Sequence, residues 1–473
     1  MKYLLMSGLM LSLAACSLVP PLERPAAPLP ARYDAAVVEA GNGADLGWRE
    51  MFTDARLRRL IELSLANKRD LRIATLNVEA VRAQFDIASA ARLPSVSANA
   101  GVTRQRVPAD AGGATLGVQE QKTAGIGLSA FEIDLFGRVR AQSEAAFARY
   151  LASEQGRRAA QISLVAAVAD AYFTELLASQ QVKLTDSTLE DWRSSLKIAR
   201  LLNEARQNSG LDVAQAEGQV ATAEADLEAR RRSLAQARNA LELLVGAALP
   251  EGLADAVPLE MQALPTALPA GLPSDLLTRR PDILQAEQTL VASNADIGAA
   301  RAAFFPQISL TASLGFASPS MGSLFSGAQR AWSFSPQITQ PLFQGGRLRA
   351  ELDLAKLRNS VAVADYERVI QIAFREVADG LAARDTYDNQ IAAQLRTVAS
   401  AQRVRELSDL RYRAGQEGRL QLLDAQRTAY AARQALLELR RDEFRATTAL
   451  YKALGGGYQP LNSHIGRARM DTP

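Results

Sequence analysis

Very few side chains in this sequence could do covalent chemistry. Cys16 is the sole cysteine and His464 the sole histidine among 473 residues. A single cysteine leaves no disulfide within the chain, so its thiol is free for acylation. One histidine near the C-terminus supplies neither a Ser-His-Asp or Cys-His device nor a histidine-rich metal site. Gly455-Gly456-Gly457 has no strand before it, so it reads as a helix stop and not as a phosphate loop. The scattered carboxylates read as solvated helix faces rather than as the paired acids of glycoside hydrolysis. The expectation is a non-enzymatic chain with no catalytic residue, no metal and no cofactor, whose one covalent chemistry is a lipid on Cys16.

The surroundings of Cys16 support that lipid. Lys2, the apolar stretch Tyr3 to Leu13 and then Ala14-Ala15 read as a signal peptide over 1–15. Leu13-Ala14-Ala15-Cys16 resembles a bacterial lipobox, in which the cysteine becomes the acylated first residue; the plainer alternative is an ordinary signal with an incidental cysteine. Ser17 rather than Asp follows, and for a chain that resembles a bacterial lipoprotein this implies sorting to the outer membrane. Residues 16–46 hold Pro20, Pro21, Pro25, Pro28 and Pro30 and read as an extended lipidated tether. Composition is 48% hydrophobic and 22% charged, ample for a core. Both charge signs are interspersed around a net +3, which does not suggest a nucleic-acid binder. After the signal no stretch reads as a run of about 18 apolar residues, so a chain that spans a membrane must do so with strands.

The elements that would position any site are long. From Arg347 to about Leu410 the sequence runs without proline, roughly 95 Å of helix. Val363, Tyr366, Ile370, Phe374, Val377 and Leu381 follow a coiled-coil spacing. Apolar Val361, Val369 and Ile372 lie off that seam, so the helix has more than one neighbour. Earlier in the chain Asp54 is placed to cap a helix carrying Leu57, Leu60, Ile61 and Leu65. A helix over Asp70 to Ala91 follows, with Leu71, Ala74, Val78, Val81 and Phe85 on its buried face. The period then changes to two. Val96 to Val102 alternate, and after a Gly-rich loop at 112–117 so do Ile126, Leu128 and Ala130. The alternation slips near Phe131, where the strand ends or bulges. Long helices follow to about Leu202 and from Leu211 to Val245.

The pattern then recurs. A Pro-rich connector spans 247–272. A short helix at Asp275 to Arg279 and a longer one over Asp282 to Ala303 come next. Two alternating segments follow, Ile308 to Phe316 and Trp332 to Ile338. Pro336 and Pro341 count against a regular central strand there. Trp332 and Phe334 are either membrane-interface aromatics or strand residues packed on a neighbour. Ser309, Thr311, Ser333 and Thr339 on the other face would line water. After the long helix a last one runs from Leu420 to Leu454, then a disordered tail over 455–473.

The halves 47–246 and 273–454 are copies offset by about 210 residues. Val213, Val220, Leu227, Leu234 and Leu241 recur every seven residues, and their counterparts are Leu422, Ala429, Leu436, Glu443 and Leu450. Ala216, Ala223, Ala237 and Leu244 match Ala425, Ala432, Ala446 and Ala453. The fold class is therefore α+β with two internal repeats, each helix, strand, strand, long helix, helix. Four strands cannot close in a bilayer that tolerates no open edge. Two copies would supply eight strands and three would supply twelve, and physics alone does not choose.

At several stretches the chain resembles the TolC-like outer-membrane efflux channel lipoproteins, in their OprM-like branch. They are Ile133-Asp134-Leu135-Phe136-Gly137-Arg138; Gly271 to Leu277 with Arg279-Arg280-Pro281-Asp282-Ile283; Gly298 to Pro306; Glu376 to Ala382; and Leu423-Asp424-Ala425-Gln426-Arg427. The resemblance covers essentially the whole mature chain. It implies a homotrimer with a twelve-strand transmembrane β-barrel continuous with a long periplasmic α-helical coiled-coil barrel. It also implies docking to a periplasmic adaptor and an inner-membrane drug efflux pump. The function it implies is a passive exit duct for drugs and small toxic compounds. A type I protein-secretion channel and a structural coiled-coil periplasmic lipoprotein are the rival readings. Carried over residue by residue, the periplasmic gate falls on Tyr412, Arg413, Leu420, Asp424 and Arg427. Leu420 would form an apolar constriction, and Asp424 would bond Arg413 or Tyr412 of a neighbour. The adaptor-docking tips fall on Arg206, Ser209, Gly210, Gly415 and Gly418. The chain departs from the family at Arg206, where a glycine is expected, whereas Arg411-Tyr412-Arg413-Ala414-Gly415 keeps the pattern.

Overall fold

The computed structural model describes residues 17–26, 46–107, 117–266, 268–269 and 275–457. The signal, Cys16, most of the tether, the Gly-rich loop at 112–116, part of the connector with Gly271 to Ser274, and His464 lie outside the described residues. The chain divides into two compact units: Met1–Ala26, Asn77–Glu154 and Gln285–Glu367 form one, and Ala27–Leu76, Gln155–Leu284 and Arg368–Pro473 the other.

Helix boundaries follow the chemistry of the sequence. A short helix α1 (Trp48–Met51), unforeseen, precedes α2 (Ala55–Asn67). Asp54 caps α2 through both Arg56 and Leu57 amides. Helix α3 (Arg69–Ala90) carries Leu71, Ala74, Val78, Val81 and Phe85 on its half-buried face, yet no residue of α3 is fully buried. Helix α4 (Arg138–Glu204) is followed by α5 (Gly210–Val245), which Gly246 caps. Helices α6 (Leu276–Arg279) and α7 (Pro281–Ala302) open the second copy. Helices α8 (Arg347–Arg413) and α9 (Arg419–Ala453) close it. At 67 residues, α8 is about 100 Å long.

The first unit holds one antiparallel sheet in the order β1-β2-β3-β4: Val96–Val107, Gly117–Ile133, Gln307–Ser318 and Arg330–Thr339. Strands from the two sequence copies meet at β2 and β3, where Gly125 faces Gly315. A side chain on Gly315 would come within 2.6 Å of the Gly125 Cα, so only glycine permits that approach. Strand β2 does not end near Phe131. It bulges between Leu128 and Phe131 and runs on to Ile133. Ala130 adopts φ 49, and its amide donates to the Thr311 hydroxyl at 3.1 Å. The bulge changes the parity of β2, so Ile126, Leu128, Phe131 and Ile133 share one face with the even-numbered apolar residues of β3. At 17 residues β2 is longer than the ten expected. Its extra length pairs polar Gln119, Glu120 and Gln121 with Gln105, Arg104 and Thr103, because backbone pairing needs no apolar side chain. Pro336 lies in β4, at an edge of the sheet.

In the second unit Leu57, Leu60 and Ile61 of α2 are fully buried, as are Val168, Ala169, Tyr172 and Phe173 of α4. Phe173 packs at a tilt against Phe444, ring centres 5.1 Å apart, and Phe52 meets Tyr451 edge-on at 6.0 Å. Contrary to the sequence expectation, α4 does contain a window apolar enough to cross a membrane by composition, but 61% of that window is buried inside the chain. It serves as core. The heptads pack as predicted: Leu189, Trp192, Leu196 and Ala199 of α4 cluster with Ala216, Val220, Ala223 and Leu227 of α5. Ala401 of α8 meets Ala429 and Ala432 of α9. Gly455-Gly456-Gly457, assigned to the tail by sequence, form an ordered turn instead. All three have positive φ, and side chains there would strike Arg279, Ile162 or Leu46.

Candidate functional site

Two features of the chain could serve transport: the sheet and the helical hairpin tips. The sheet has one apolar face. Ala98, Ile126, Leu314 and Trp332 form one cross-strand row, and Val96, Leu128, Ala312 and Phe334 the next. Ile126, Leu314, Trp332, Phe334 and Ile338 are more than half exposed on it. The opposite face carries Ser97, Gly127, Ser313 and Ser333 in register. The Ser313 and Ser333 hydroxyls share a hydrogen bond at 2.7 Å. One face thus suits hydrocarbon and the other suits water.

The two hairpin tips are copies of one turn. In the first, the Arg206 amide bonds the Asn203 carbonyl at 2.9 Å, and the Gln207 amide bonds that of Leu202 at 2.8 Å. In the second, the Gly415 amide bonds the Tyr412 carbonyl at 3.0 Å, and the Gln416 amide bonds that of Arg411 at 2.9 Å. Both turns need one left-handed residue. Gly415 provides it at φ 69 without cost, and Arg206 provides it at φ 57 against a penalty of about 1–2 kcal/mol. Ser209 then caps α5 in a reciprocal box with Asp212. Its counterpart Gly418 caps α9 with no side-chain bond. Gly210 sits in open space.

Around the second tip, Leu420, Asp424 and Arg427 are spaced to share one face of α9, and all three are exposed. Asp424 lines a groove with Arg396, Ser400, Ser408 and Gln421. Asp424 and Arg427 make no ion pair within the chain among the described residues. Arg413 pairs with Asp409 at 2.9 Å one turn back on α8, so within one chain it does not meet Asp424. The residue that sequence reasoning missed is Arg419. It is 3% exposed, and its guanidinium lies 5.4 Å from the centre of the Tyr412 ring. Among the described residues its Nε and Nη1 find no acceptor, and the Tyr412 hydroxyl finds no partner. The signal was available, because Arg419 stands one turn before Leu422 and Leu423 on the buried side of α9.

Within the second unit the hairpins meet through polar groups. The Tyr430 hydroxyl donates to Asp226 at 2.5 Å and lies 2.6 Å from the Thr185 hydroxyl. Gln434 donates to Tyr430 at 2.8 Å, and Gln219 to Gln426 at 3.2 Å. Burial first, then the bond to Asp226, raises the Tyr430 pKa above its ordinary value.

Residues 60–247 and 272–456 match the family model described as outer membrane efflux protein. The chain belongs to this family. It is 46% identical over 470 residues to the probable efflux pump outer membrane protein TtgC of Pseudomonas putida, covering 98% of this chain and 97% of that one. It is 43% identical to the outer membrane protein OprJ of Pseudomonas aeruginosa, covering 96% of each. Among solved structures, the open state of the Neisseria gonorrhoeae MtrE outer membrane channel matches with a TM-score of 0.87. Identity is 40%, over 93% of this chain and 98% of that one. As an outer membrane efflux protein, the chain is the outer-membrane component of an efflux system of a Gram-negative bacterium.

Membership gives the family motifs a physical account. Arg280 is 4% exposed and binds Asp282 at 2.5 Å, Glu376 at 2.8 Å and the Ala453 carbonyl at 3.0 Å. It fastens the start of α7 to α8 and to the end of α9. Gly380 touches Leu450 so closely that a Cβ would stand 2.9 Å from it.

Proposed function

We propose that this outer membrane efflux protein is the passive exit duct of a tripartite system, assembled as a homotrimer. The carrying observation is the four-stranded sheet, with an exposed apolar face and two strand edges left open by the chain. A bilayer tolerates neither an open edge nor an unpaired backbone group. Two copies would give eight strands, the smallest bacterial barrel, and three would give twelve. The family resemblance favours three. Apolar residues left exposed on helices, Ile73, Leu76 and Ile87 on α3 and Leu354, Leu357 and Val361 on α8, would be covered by neighbouring copies.

In this reading the lipid on Cys16 anchors the chain, and several acyl groups on one residue hold firmly. A periplasmic adaptor docks at Arg206, Ser209, Gly210, Gly415 and Gly418, and an inner-membrane pump supplies energy and selectivity. Tyr412, Arg413, Leu420, Asp424 and Arg427 form the resting gate around the threefold axis, with no catalytic residue, metal or cofactor taking part. The substrates are small toxic amphiphiles. Relatives are named for toluene and for antibiotic efflux, which supports that class over secreted proteins.

Light scattering on the detergent-extracted protein tests the assembly, and a mass near three chains is expected. A monomer that leaves the membrane once Cys16 is replaced by Ser would leave only a lipid-tethered coiled coil. Deleting the gene should sensitise cells to drugs without loss of any secreted protein; the reverse pattern would point to protein secretion.

A further inference from the structure

The two hairpin tips share one turn, yet they treat charge in opposite ways. At the first tip the chain serves its own helix start. The Ser209 amide and hydroxyl both donate to Asp212 Oδ2, at 3.1 and 3.0 Å, so a carboxylate sits at the positive end of α5. The offset that matches Arg206 to Gly415 also matches Ser209 to Gly418, Gly210 to Arg419 and Asp212 to Gln421. The second tip has therefore lost the carboxylate, and Gly418 offers α9 no side-chain cap. It has gained a cation where Gly210 faces open space. Over 202–212 the chain carries Arg206 against Glu204 and Asp212. Over 411–421 it carries Arg411, Arg413 and Arg419 against Glu417 alone.

Side chains of a helix lean toward its N-terminus. That of Arg419, the first residue of α9, therefore lies over the tip, with its guanidinium 5.4 Å from the centre of the Tyr412 ring. It is 3% exposed, and its Nε and Nη1 have no acceptor among the described residues. The Tyr412 hydroxyl is likewise buried without a partner. Glu417, two residues away, does not answer them, because its Oε2 is also buried and unbonded. A buried cation without an anion is costly, and the cost is recovered only when an acceptor arrives. We propose that the second tip is an anion-accepting site, in which Arg419, the Tyr412 hydroxyl and the uncapped amides of α9 receive a carboxylate from outside the chain. The occupant is an aspartate or glutamate side chain at the docking end of the periplasmic adaptor. Three arginines against one glutamate give the tip the complementary charge. Gly415 has nothing within 4 Å of the place a Cβ would take, so another chain can approach the backbone there. A carboxylate carried on a docked segment also arrives at high effective concentration, which a free ion does not. At the first tip Asp212 already fills the equivalent place, so the site exists once per chain. The inference rests on adaptor docking at the tips in the proposed function.

The test compares full-length variants, present in equal amounts in the outer membrane of a deletion strain and purified in detergent. Gln421→Asp gives the second tip the carboxylate of the first. It should fill the site, raise the melting temperature by a few degrees and lower drug resistance toward that of the deletion strain. Gln421→Asn should change neither. Arg419→Met removes the charge and keeps the bulk. It should melt no lower than the native protein, because an unpaired buried charge is gone, and yet lose resistance. Arg419→Lys, which keeps a cation, should keep most of the resistance. A merely structural Arg419 would cost stability in Arg419→Met, and that result overturns the site. Glu417→Gln should stay resistant; loss of resistance there would make Glu417 the partner of Arg419 and overturn the outside carboxylate. Titration with sodium acetate against sodium chloride separates a tethered carboxylate from a free one. If acetate raises the native melting temperature while Gln421→Asp keeps full resistance, the occupant is a free anion and the adaptor contact falls. A deletion strain as resistant as its parent would refute the proposed duct and with it the adaptor contact, while the melting temperatures would still show whether the tip accepts a carboxylate.

Discussion

At the scale of single residues, charge decides how firmly the tips and seams hold. Arg413 already has Asp409 as a partner, with both side chains more than a third exposed. Exchanging it for Asp424 of a neighbour therefore gains little, about 0–1 kcal/mol per pair. In the proposed trimer a lock of that strength, repeated by symmetry, would be one that the proposed adaptor could open. Replacing Asp424 or Arg413 by Ala should raise single-channel conductance and antibiotic entry. Unchanged conductance and permeability in both variants would remove these residues from the gate. Glu443 is a different case. It occupies a heptad position and is 6% exposed, with Arg440 at 3.1 Å. Burial raises its pKa above the ordinary 4.5, Arg440 opposes the shift and Asp388 adds to it. A raised carboxyl binds its proton more tightly in the folded chain. Its favourable contribution is therefore complete below pH 4.5 and is lost as pH rises through the folded value. Glu443→Gln should match the native protein in acid and melt at a higher temperature near neutral pH. Melting curves from about pH 4 to pH 8 would expose the opposite trend.

At the scale of elements, the long helices depend on a few fastenings. Arg280 ties three helices through two carboxylates and one carbonyl. Burial alone would lower its pKa, but Asp282 and Glu376 more than reverse this and the net shift is upward. Arg280 is buried but Asp282 and Glu376 are each about a third exposed, so water can solvate the carboxylates once it is gone, and the loss is that of its charged hydrogen bonds. Arg280→Ala should cost about 1.5–3 kcal/mol in denaturant unfolding. A loss below about 1 kcal/mol would show that the helices are held by their apolar seams alone. The two hairpins are built differently from the junction between them. The first is sealed by Leu, Ala, Val and Trp192 and the second by Ala with Val398, whereas the junction uses Tyr430, Thr185, Asp226 and Gln434. Such bonds specify register, since a slipped hairpin would leave buried polar groups unpaired.

At the scale of the whole molecule, one chain leaves too much apolar surface bare. Leu354, Leu357 and Val361 recur along one side of α8 and are all exposed. A charge there should cost a single chain little and an assembly much. Leu357→Glu should lower the yield of oligomer in detergent while the chain keeps its helical circular dichroism. Full oligomer yield would place the subunit contacts elsewhere.

Most of the local architecture was legible in the sequence. The three-four spacing, the caps at Asp54 and Gly246, the prolines and the change to period two located the helices and strands, because these are short-range rules of backbone geometry. The heptads at Val220, Leu227, Leu422 and Leu450 named the buried seams for the same reason. The slip near Phe131 was visible as broken alternation. That it is a bulge and not an end depended on β3, whose Thr311 hydroxyl accepts from the Ala130 amide. The candidate gate and tip residues came from the family resemblance, and composition alone would not have singled them out. A buried Arg419 against Tyr412 breaks the expectation that arginine faces water, although its place one turn before Leu422 and Leu423 marked that side of α9. Two things only the tertiary structure decided. An apolar stretch of α4 that could pass for a membrane helix is enclosed by the chain's own core. Gly298 looks like any helical glycine until Val19, 279 positions earlier in the chain, is found resting on its backbone. Each depends on a contact between residues far apart in sequence, and no local period records which distant segment will arrive.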